Sequence, residues 1–341
     1  MLKVGLVGLG FMGSMHLQNY LRLEKEGFPL KVIAIADVDK EKHNGFQTKG
    51  NIESAQELID YSQFNFYSSL EEMAANEELD YVDLCLPTYL HASQTALAMS
   101  LGLHVFCEKP MALSKQECGE MIAVAKKYDK QLMIGQTLRF FPSYNYLKEL
   151  IDTKKYGKVL AASFFRGGTT PIWSWENWLL QKDKAGGALL DQHIHDVDTI
   201  NWLFGLPKSV STSGVVVFEG SGYDIVSSTY HYEDGKVISA EDDWTINGDF
   251  GFEMRFRVTF EKGALVFENK ELTEYPYDGE KFVPTISKED GYYLELKHFA
   301  QCLLDNVSVN SIVSLESATD TIYIAEKEQE SADLSGELVQ V

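Results

Sequence analysis

The densest run of polar side chains that could do chemistry is GGALLDQHIHDVD at residues 186–198. Asp191 and His195 are four residues apart, so on a helix they share one face. A carboxylate beside an imidazole holds its tautomer and favours its protonated form, which suits a general base. His193 is two residues from His195 and faces elsewhere, which argues against a metal shared by both histidines, although other pairs in this segment could ligate one. We predict that Asp191 and His195 are catalytic and that no metal is bound.

A second candidate site is the glycine-rich segment GLGFMG at residues 8–13. It follows an apolar run and opens an amphipathic stretch, and Asp37 ends the next apolar run 24 residues after Gly13. This pattern is typical of a dinucleotide-binding turn, whose helix N-terminus holds the pyrophosphate and whose acidic residue binds the adenosine ribose. The competing interpretation is an ordinary glycine-rich turn. The predicted cofactor contacts are Gly8, Gly10, Phe11, Met12, Gly13 and Asp37.

Two more polar turns follow predicted strands, where doubly wound sheets bind their ligands. Glu108 and Lys109 lie in CEKP, and a lysine there could present a cation to a substrate oxygen. His91 follows Pro87 and Thr88 in PTYLH, which favours contact with cofactor or substrate. The alternatives are a plain polar turn for Lys109 and a structural histidine for His91.

Three other positions leave their roles open. Arg139, in LRFFP, either binds substrate or pairs with a carboxylate. Asp196 and Asp198 are interpreted as a solvated helix start, and Trp173 as a packing residue or a pocket wall.

The elements that must position these residues alternate in the first part of the chain. Short apolar runs predict strands at residues 3–7, 30–36, 81–86, 104–107 and 132–135. Amphipathic stretches predict helices from the end of the glycine segment at 13 to about 26, and at 69–76, 92–101 and 114–129, the last with Ser114 and Glu117 as a capping box. Strands that alternate with helices indicate a parallel sheet of right-handed βαβ units.

The pattern changes near Gly157. Alternating or β-branched segments separated by glycine-containing turns predict an antiparallel meander at 158–166, 209–219, 223–233, 236–246, 254–261 and 264–268. Helices are predicted at 191–204, 292–305 and 314–331. The predicted fold is a doubly wound α/β domain followed by an α+β domain with a large open antiparallel sheet.

Composition excludes several classes of protein. The 341 residues suggest about two domains, and the net charge of −21 repels nucleic acid and anionic membranes. The four cysteines form no C-x-x-C pair, which argues against a zinc site or disulfide framework and indicates a cytoplasmic protein. We also expect neither a signal peptide nor a transmembrane helix.

Taken together, three ordered motifs resemble the Gfo/Idh/MocA family of NAD(P)-dependent oxidoreductases, which includes inositol and sugar dehydrogenases. They are Gly8-x-Gly10-x-x-Gly13, the segment 98–110 that ends in EKP, and the segment 186–196 with its glycine pair, Asp191 and His195. The resemblance extends over essentially the whole chain. His193 departs from it, because relatives often have glycine or another small residue there, and this histidine either shapes the substrate pocket or packs nearby.

The resemblance implies a Rossmann domain at residues 1–136, a substrate-binding and oligomerisation domain at 137–310, and a C-terminal helix and tail at 311–341 that pack back on the first domain. Lys109 corresponds to the catalytic lysine and His195 to the proton acceptor, with Asp191 as its partner. The residues that correspond to cofactor contacts are Pro87, Thr88, His91 and Glu108. A cis peptide bond precedes Pro110. The open sheet implies a homo-oligomer, a dimer or tetramer.

The implied reaction moves a hydride from a carbinol carbon of a cyclic polyol or sugar to the nicotinamide. His195 takes the hydroxyl proton, Lys109 stabilises the alkoxide, and Arg139 joins Lys109, Asp191 and His195 in binding substrate. Asp37 favours NAD over NADP by repelling the 2′-phosphate, and Lys40 and Lys42 partly offset this. The alternatives are a glycoside hydrolase that uses NAD without net oxidation and a non-enzymatic NAD(P)-responsive regulator.

Overall fold

The structure is a computed structural model that describes residues 1–44 and 59–341. These residues form two compact units, each built from separate stretches of chain. The first unit comprises Met1–Thr137, Trp173–Glu176 and Asp290–Thr319. The second comprises Leu138–Ile172, Asn177–Glu289 and Asp320–Val341. The predicted domain boundaries stay predictions.

The first unit is built on a parallel sheet in the strand order β3-β2-β1-β4-β5-β6. Its strands are β1 (Leu2–Val7), β2 (Leu30–Ala36), β3 (Asn65–Tyr67), β4 (Tyr81–Leu84), β5 (His104–Glu108) and β6 (Leu132–Gly135). The central strands carry apolar residues on both faces because both faces of a parallel sheet are covered. The order reverses between β1 and β4, and such a switch point is where doubly wound sheets bind ligands.

The helices among the described residues are α1 (Phe11–Lys25), α2 (Leu70–Asn76), α3 (His91–Ser100), α4 (Lys115–Tyr128), α5 (Pro142–Thr153), α6 (Lys182–Ala185), α7 (Gly187–Asp191), α8 (Ile194–Phe204), α9 (Gly291–Asp305) and α10 (Leu315–Asp333). The predicted capping box of α4 is confirmed: Ser114 Oγ accepts from the Glu117 amide at 3.3 Å and donates to the Glu117 carboxylate at 3.1 Å. Of the helices in the described ranges, none is long and apolar enough to cross a bilayer.

The second unit contains a mixed sheet of eight strands in the order β13-β12-β11-β7-β10-β9-β8-β14. They are β7 (Val159–Gly168), β8 (Ser209–Val215), β9 (Ile225–His231), β10 (Val237–Asp243), β11 (Phe252–Phe260), β12 (Gly263–Glu268), β13 (Glu271–Pro276) and β14 (Val339–Gln340). The predicted fold class is confirmed, but the simple meander is wrong. Strand β7 lies between β10 and β11 and pairs in parallel with β10, so the first strand of the sheet sits near its middle.

Candidate functional site

The glycine turn after β1 has the geometry that a dinucleotide requires. Gly8 has φ +94°, and a Cβ there would lie 2.3 Å from the Cys85 carbonyl oxygen. A Cβ on Gly13 would lie 1.9 Å from the Gly8 carbonyl oxygen, so strand and helix meet backbone to backbone. A Cβ on Gly10 would meet nothing within 4 Å, and no side chain caps α1 there. The turn therefore leaves open space beside uncapped helix N–H groups, which fits a pyrophosphate.

Asp37 lies directly after β2 and is 7% exposed. Its Oδ2 accepts a hydrogen bond from the Leu9 amide at 2.7 Å. The same oxygen forms an ion pair with Lys42 Nζ at 2.9 Å. Its Oδ1 accepts from the Asp39 amide at 2.8 Å. The carboxylate is thus held beside the glycine turn, as a ribose-binding residue must be, and it carries a cationic partner.

Phe11 and Met12 begin α1 and are half-buried. The Phe11 ring packs on Trp173, with ring centroids 5.7 Å apart. The buried indole Nε1 of Trp173 has no hydrogen-bond partner among the described residues. Trp173 therefore packs within the first unit beside the glycine turn.

Lys109 follows the last residue of β5 and is half-buried. Its backbone amide donates to Glu108 Oε2 at 3.0 Å, and the Lys109–Pro110 bond is cis, as predicted. Glu108 itself is 5% exposed, and its Oε1 lies 3.0 Å from His16 Nε2. The Glu108 side chain therefore points into the core, and the predicted contact of this residue with the cofactor stays a prediction.

The turn after β4 carries the other residues predicted to contact the cofactor. Pro87 is half-buried, and Thr88 is 2% exposed. His91 is fully buried, with Nδ1 2.7 Å from the Pro110 carbonyl oxygen and Nε2 2.9 Å from that of Leu86. Burial lowers the pKa of His91. Because both ring nitrogens face backbone oxygens, we correct the predicted cofactor contact: His91 links the two turns.

Asp191 and His195 do not lie on one continuous helix, which corrects the geometric premise of the prediction. Asp191 ends α7, and His195 is the second residue of α8. The amides of Gln192 and His193 both bond to the Ala188 carbonyl oxygen, at 2.9 and 2.8 Å, so the chain turns between the helices. Asp191 and His195 are half-buried residues of the second unit, and their catalytic roles stay predictions.

His193, in contrast, is a core residue. It is fully buried, with Nε2 3.2 Å from Glu328 Oε1 and 3.3 Å from the Tyr230 hydroxyl. Tyr230 also donates to Glu328 Oε1 at 2.5 Å. Although burial opposes it, the Glu328 carboxylate raises the pKa of His193. Of the two interpretations of this position, packing is the one that these contacts support.

The two buried arginines of the second unit bind the helix that carries His195. Arg139 donates to Asp198 through Nε at 2.9 Å and Nη2 at 2.7 Å. Arg166, on β7, donates through Nη2 to Asp196 at 3.1 Å. All four side chains are at most 3% exposed. Arg139 is therefore engaged in the core rather than offered to substrate, and the predicted solvated helix start is wrong.

A cluster that the sequence did not reveal lies in the first unit. His16 Nε2 and carboxylate oxygens of Glu108 and Glu295 lie within 4.8 Å of one another, and so do donor atoms of His16, Asp83 and Cys85. His16 stands three residues after Gly13, but Glu295 comes from a distant helix. Only the fold brings them together.

A parallel sheet in this strand order, with a glycine turn after its first strand and an acidic residue after its second, defines a dinucleotide-binding unit. Residues 2–136 match the family model described as an oxidoreductase family with an NAD-binding Rossmann fold, and residues 144–266 match the GFO/IDH/MocA C-terminal domain. The chain belongs to the GFO/IDH/MocA family of oxidoreductases, and its first unit is an NAD-binding Rossmann domain.

Curated relatives match part of the chain. An uncharacterized oxidoreductase of Streptococcus pneumoniae serotype 4 is 31% identical over 225 residues, covering 65% of this chain and 56% of that protein. The 2,7-anhydro-N-acetylneuraminate hydratase of Mediterraneibacter gnavus is 29% identical over 220 residues, covering 64% of this chain and 54% of that protein. The matches thus span little more than half the length of these relatives.

Among solved structures, levoglucosan dehydrogenase in complex with NADH and levoglucosan superposes with a TM-score of 0.83 and 21% identity. The match covers 100% of this chain and 99% of that one. At this level of identity, the likeness establishes the fold.

Proposed function

We propose that the protein is an NAD-dependent dehydrogenase that oxidises a hydroxyl-bearing carbon of a cyclic polyol or sugar. The observation that carries the proposal is the glycine turn with Asp37 held beside it, through the 2.7 Å bond from the Leu9 amide. Lys109 supports it, because this half-buried cation follows β5 of the same parallel sheet. The oxidoreductase family supports the reaction type.

The proposed chemistry divides among three residues. Bound NAD would supply the hydride acceptor. His195 accepts the hydroxyl proton as general base, and Asp191 holds the imidazole and balances the charge that forms on it. Lys109 donates to the developing alkoxide and lowers its energy more than that of the neutral alcohol.

We propose that NAD is preferred to NADP and that Lys42 weakens this preference. The Asp37 carboxylate would repel a 2′-phosphate. The Lys42 ammonium, 2.9 Å from it, neutralises part of that repulsion. NADP should therefore bind more weakly than NAD without being excluded.

The substrate class is tested with a panel of inositols, aldoses and anhydrosugars, each incubated with NAD and with NADP. Levoglucosan belongs in the panel because a similar structure contains it. The proposal predicts NADH formation with at least one member and a keto product of equal amount. If every member fails with both cofactors while NADH still binds, the proposed substrate class is wrong.

A second candidate is a hydratase of an anhydrosugar, which the relative from Mediterraneibacter gnavus favours. With 2,7-anhydro-N-acetylneuraminate as substrate, a hydratase would yield a product heavier by one water and no accumulated NADH. The dehydrogenase would yield NADH and a product lighter by two hydrogens. Mass spectrometry of the product separates the two candidates.

We also propose that the protein forms a homo-oligomer, a dimer or tetramer, through the open face of the second unit's sheet. The side chain of Val237 projects from that face and is 63% exposed. Light scattering after size exclusion should give a multiple of the 38.5 kDa chain, and Val237→Lys should lower it.

A further inference from the structure

Four elements of the first unit contribute to the buried cluster beneath the turn that carries Lys109. His16 comes from α1, Asp83 from β4, Glu108 from β5 and Glu295 from α9. Glu108 is 5% exposed and the other three are fully buried. Three carboxyl groups thus surround one imidazole away from solvent.

Each nitrogen of the His16 ring faces a different carboxyl group. Nδ1 lies 2.8 Å from Asp83 Oδ2, and Nε2 lies 3.0 Å from Glu108 Oε1. The first contact is an aligned hydrogen bond, and the second is an ion-pair contact without that alignment. A neutral imidazole carries one N–H, so only the imidazolium presents a proton toward both carboxylates.

Protonation of the His16 ring places one positive charge among these buried acidic groups. The groups that face it are Asp83 and Cys85 from the β4 side, Glu108 from β5 and Glu295 from α9. Burial opposes it, but the Asp83 carboxylate raises the pKa of His16 well above its ordinary value. Burial and the negative charge of Glu108 raise the pKa of Glu295 strongly. One imidazolium then lies between two carboxylates, and Glu295 is a neutral acid.

Glu108 links this cluster to the turn above it. Its Oε2 accepts the hydrogen bond from the Lys109 amide at 3.0 Å, while its Oε1 faces His16. Without a cation at His16, Asp83 and Glu108 would leave buried charge uncompensated, which is costly. The Glu108 carboxylate would then no longer be held toward the ring, and the Lys109 amide would lose an oriented acceptor.

We propose that His16, as an imidazolium held between Asp83 and Glu108, is a positioning residue that orients Lys109 through the Glu108 carboxylate. This role rests on the proposed function of Lys109. His16 is fully buried beneath the turn that carries Lys109. It acts by fixing the charge and orientation of the carboxylate that holds the catalytic turn.

The first test needs no substrate. NMR of ¹⁵N-labelled protein reads the ring nitrogens of His16 and the backbone amide of Lys109. We expect both ring nitrogens to be protonated at neutral pH, and His16→Gln to shift the Lys109 amide. In His16→Gln/Glu108→Gln the amide should regain a hydrogen bond, because a neutral carbonyl again accepts it. His104→Gln, at the other end of β5, is the control and should leave the Lys109 amide unmoved.

The second test is a double-mutant cycle on kcat for alcohol oxidation and on the Kd for NADH. We expect His16→Gln to lower kcat about tenfold with the NADH Kd nearly unchanged, and Glu108→Gln in that background to recover much of the loss. A wild-type protein that oxidises no panel member would overturn the dehydrogenase proposal, while the NMR test would still decide the role of His16.

Several results would overturn the role of His16. They are an unprotonated ring nitrogen at neutral pH, one equivalent of a tightly bound metal in the purified protein, or an unmoved Lys109 amide in folded His16→Gln. If His16→Gln lowers both kcat and the affinity for NADH, and the double variant recovers neither, His16 has only a structural role. If His16→Gln does not fold, the wild-type ring signals and the Lys109 amide of Glu108→Gln still test the proposal.

Discussion

The two units both bury carboxylates, but they neutralise them with different cations. In the first unit, Asp83 and Glu108 face the single imidazole of His16. In the second, Asp196 and Asp198 each bind a guanidinium, that of Arg166 and that of Arg139. An imidazole titrates near neutral pH, whereas a guanidinium stays charged throughout the accessible range.

The two kinds of cation support different parts of the molecule. The arginine pairs anchor α8, the helix that carries His195, through cations that do not lose their charge in the accessible pH range. The imidazole cluster supports the turn that carries Lys109 and depends on a proton.

The largest effect should come from His195. His195→Ala should lower kcat for alcohol oxidation by about 10²–10⁴, because the general base is lost. His193→Ala should affect kcat far less and should instead lower the free energy of unfolding by about 3–5 kcal/mol, since it leaves Glu328 buried without its cation. Steady-state kinetics measure kcat, and urea denaturation measures the free energy of unfolding. The assignment is reversed if the His193 variant loses the activity and the His195 variant keeps it.

Lys109→Ala should lower kcat by about 10²–10³, because the alkoxide loses its cationic donor. NADH affinity, measured by fluorescence titration, should change little. Lys126→Ala, in the exposed last turn of α4, is the control and should retain full activity. Full turnover by the Lys109 variant would make this lysine an ordinary turn residue.

Breaking a buried arginine pair should cost stability. Arg139→Met leaves Asp198 buried without its partner, so the free energy of unfolding should fall by about 3–5 kcal/mol. Lys148→Met removes the partly exposed pair with Asp152 in the same unit and should cost less than about 1 kcal/mol. Urea denaturation compares the two. Equal losses would mean that burial of the Arg139 pair confers no special role.

The imidazole cluster should make stability depend on pH. Because the pKa of His16 in the folded protein lies well above 6.5, its stabilisation is complete below about pH 6.5 and is lost as pH rises through the folded-state pKa. The raised pKa of Glu295 acts in the same direction, from about pH 4.5 upward. The free energy of unfolding should fall by up to about 1.4 kcal/mol per pH unit for each group. His16→Gln should flatten the slope above pH 6.5, and an unchanged slope would contradict the account.

The smallest effect concerns cofactor choice. Asp37→Ser should lower the NAD-to-NADP ratio of kcat/KM about tenfold, and Lys42→Ala should raise that ratio by a similar factor. The reason is that the Asp37 charge repels a 2′-phosphate and Lys42 offsets it. Shifts in the same direction from both variants would contradict the opposing roles.

Local patterns predicted the elements whose residues lie close in sequence. Strands β2 and β6 have the predicted bounds because each is a short run of apolar residues buried on both faces. The glycine turn and Asp37 followed from spacing alone. The hairpin that leads into β13 was missed because its turn residues, Asn269 and Lys270, both adopt positive φ without a glycine to signal it.

Long-range arrangements were beyond the sequence. The parallel pairing of β7 with β10 depends on strands far apart in the chain, and neighbouring segments do not encode it. Arg139 and His91 were predicted at ligand sites, but their partners are Asp198 and backbone carbonyls that only the fold brings near. The same holds for the cluster around His16.

The most direct test of the central proposal follows a labelled hydrogen. Panel sugars and polyols carrying deuterium on their carbinol carbons are incubated with NAD and the protein, and the recovered cofactor is analysed by mass spectrometry. The account predicts NADH that contains one deuterium, in the same amount as the keto product. A product formed without net NADH, or NADH without deuterium, would contradict hydride transfer from a carbinol carbon as the function of this protein.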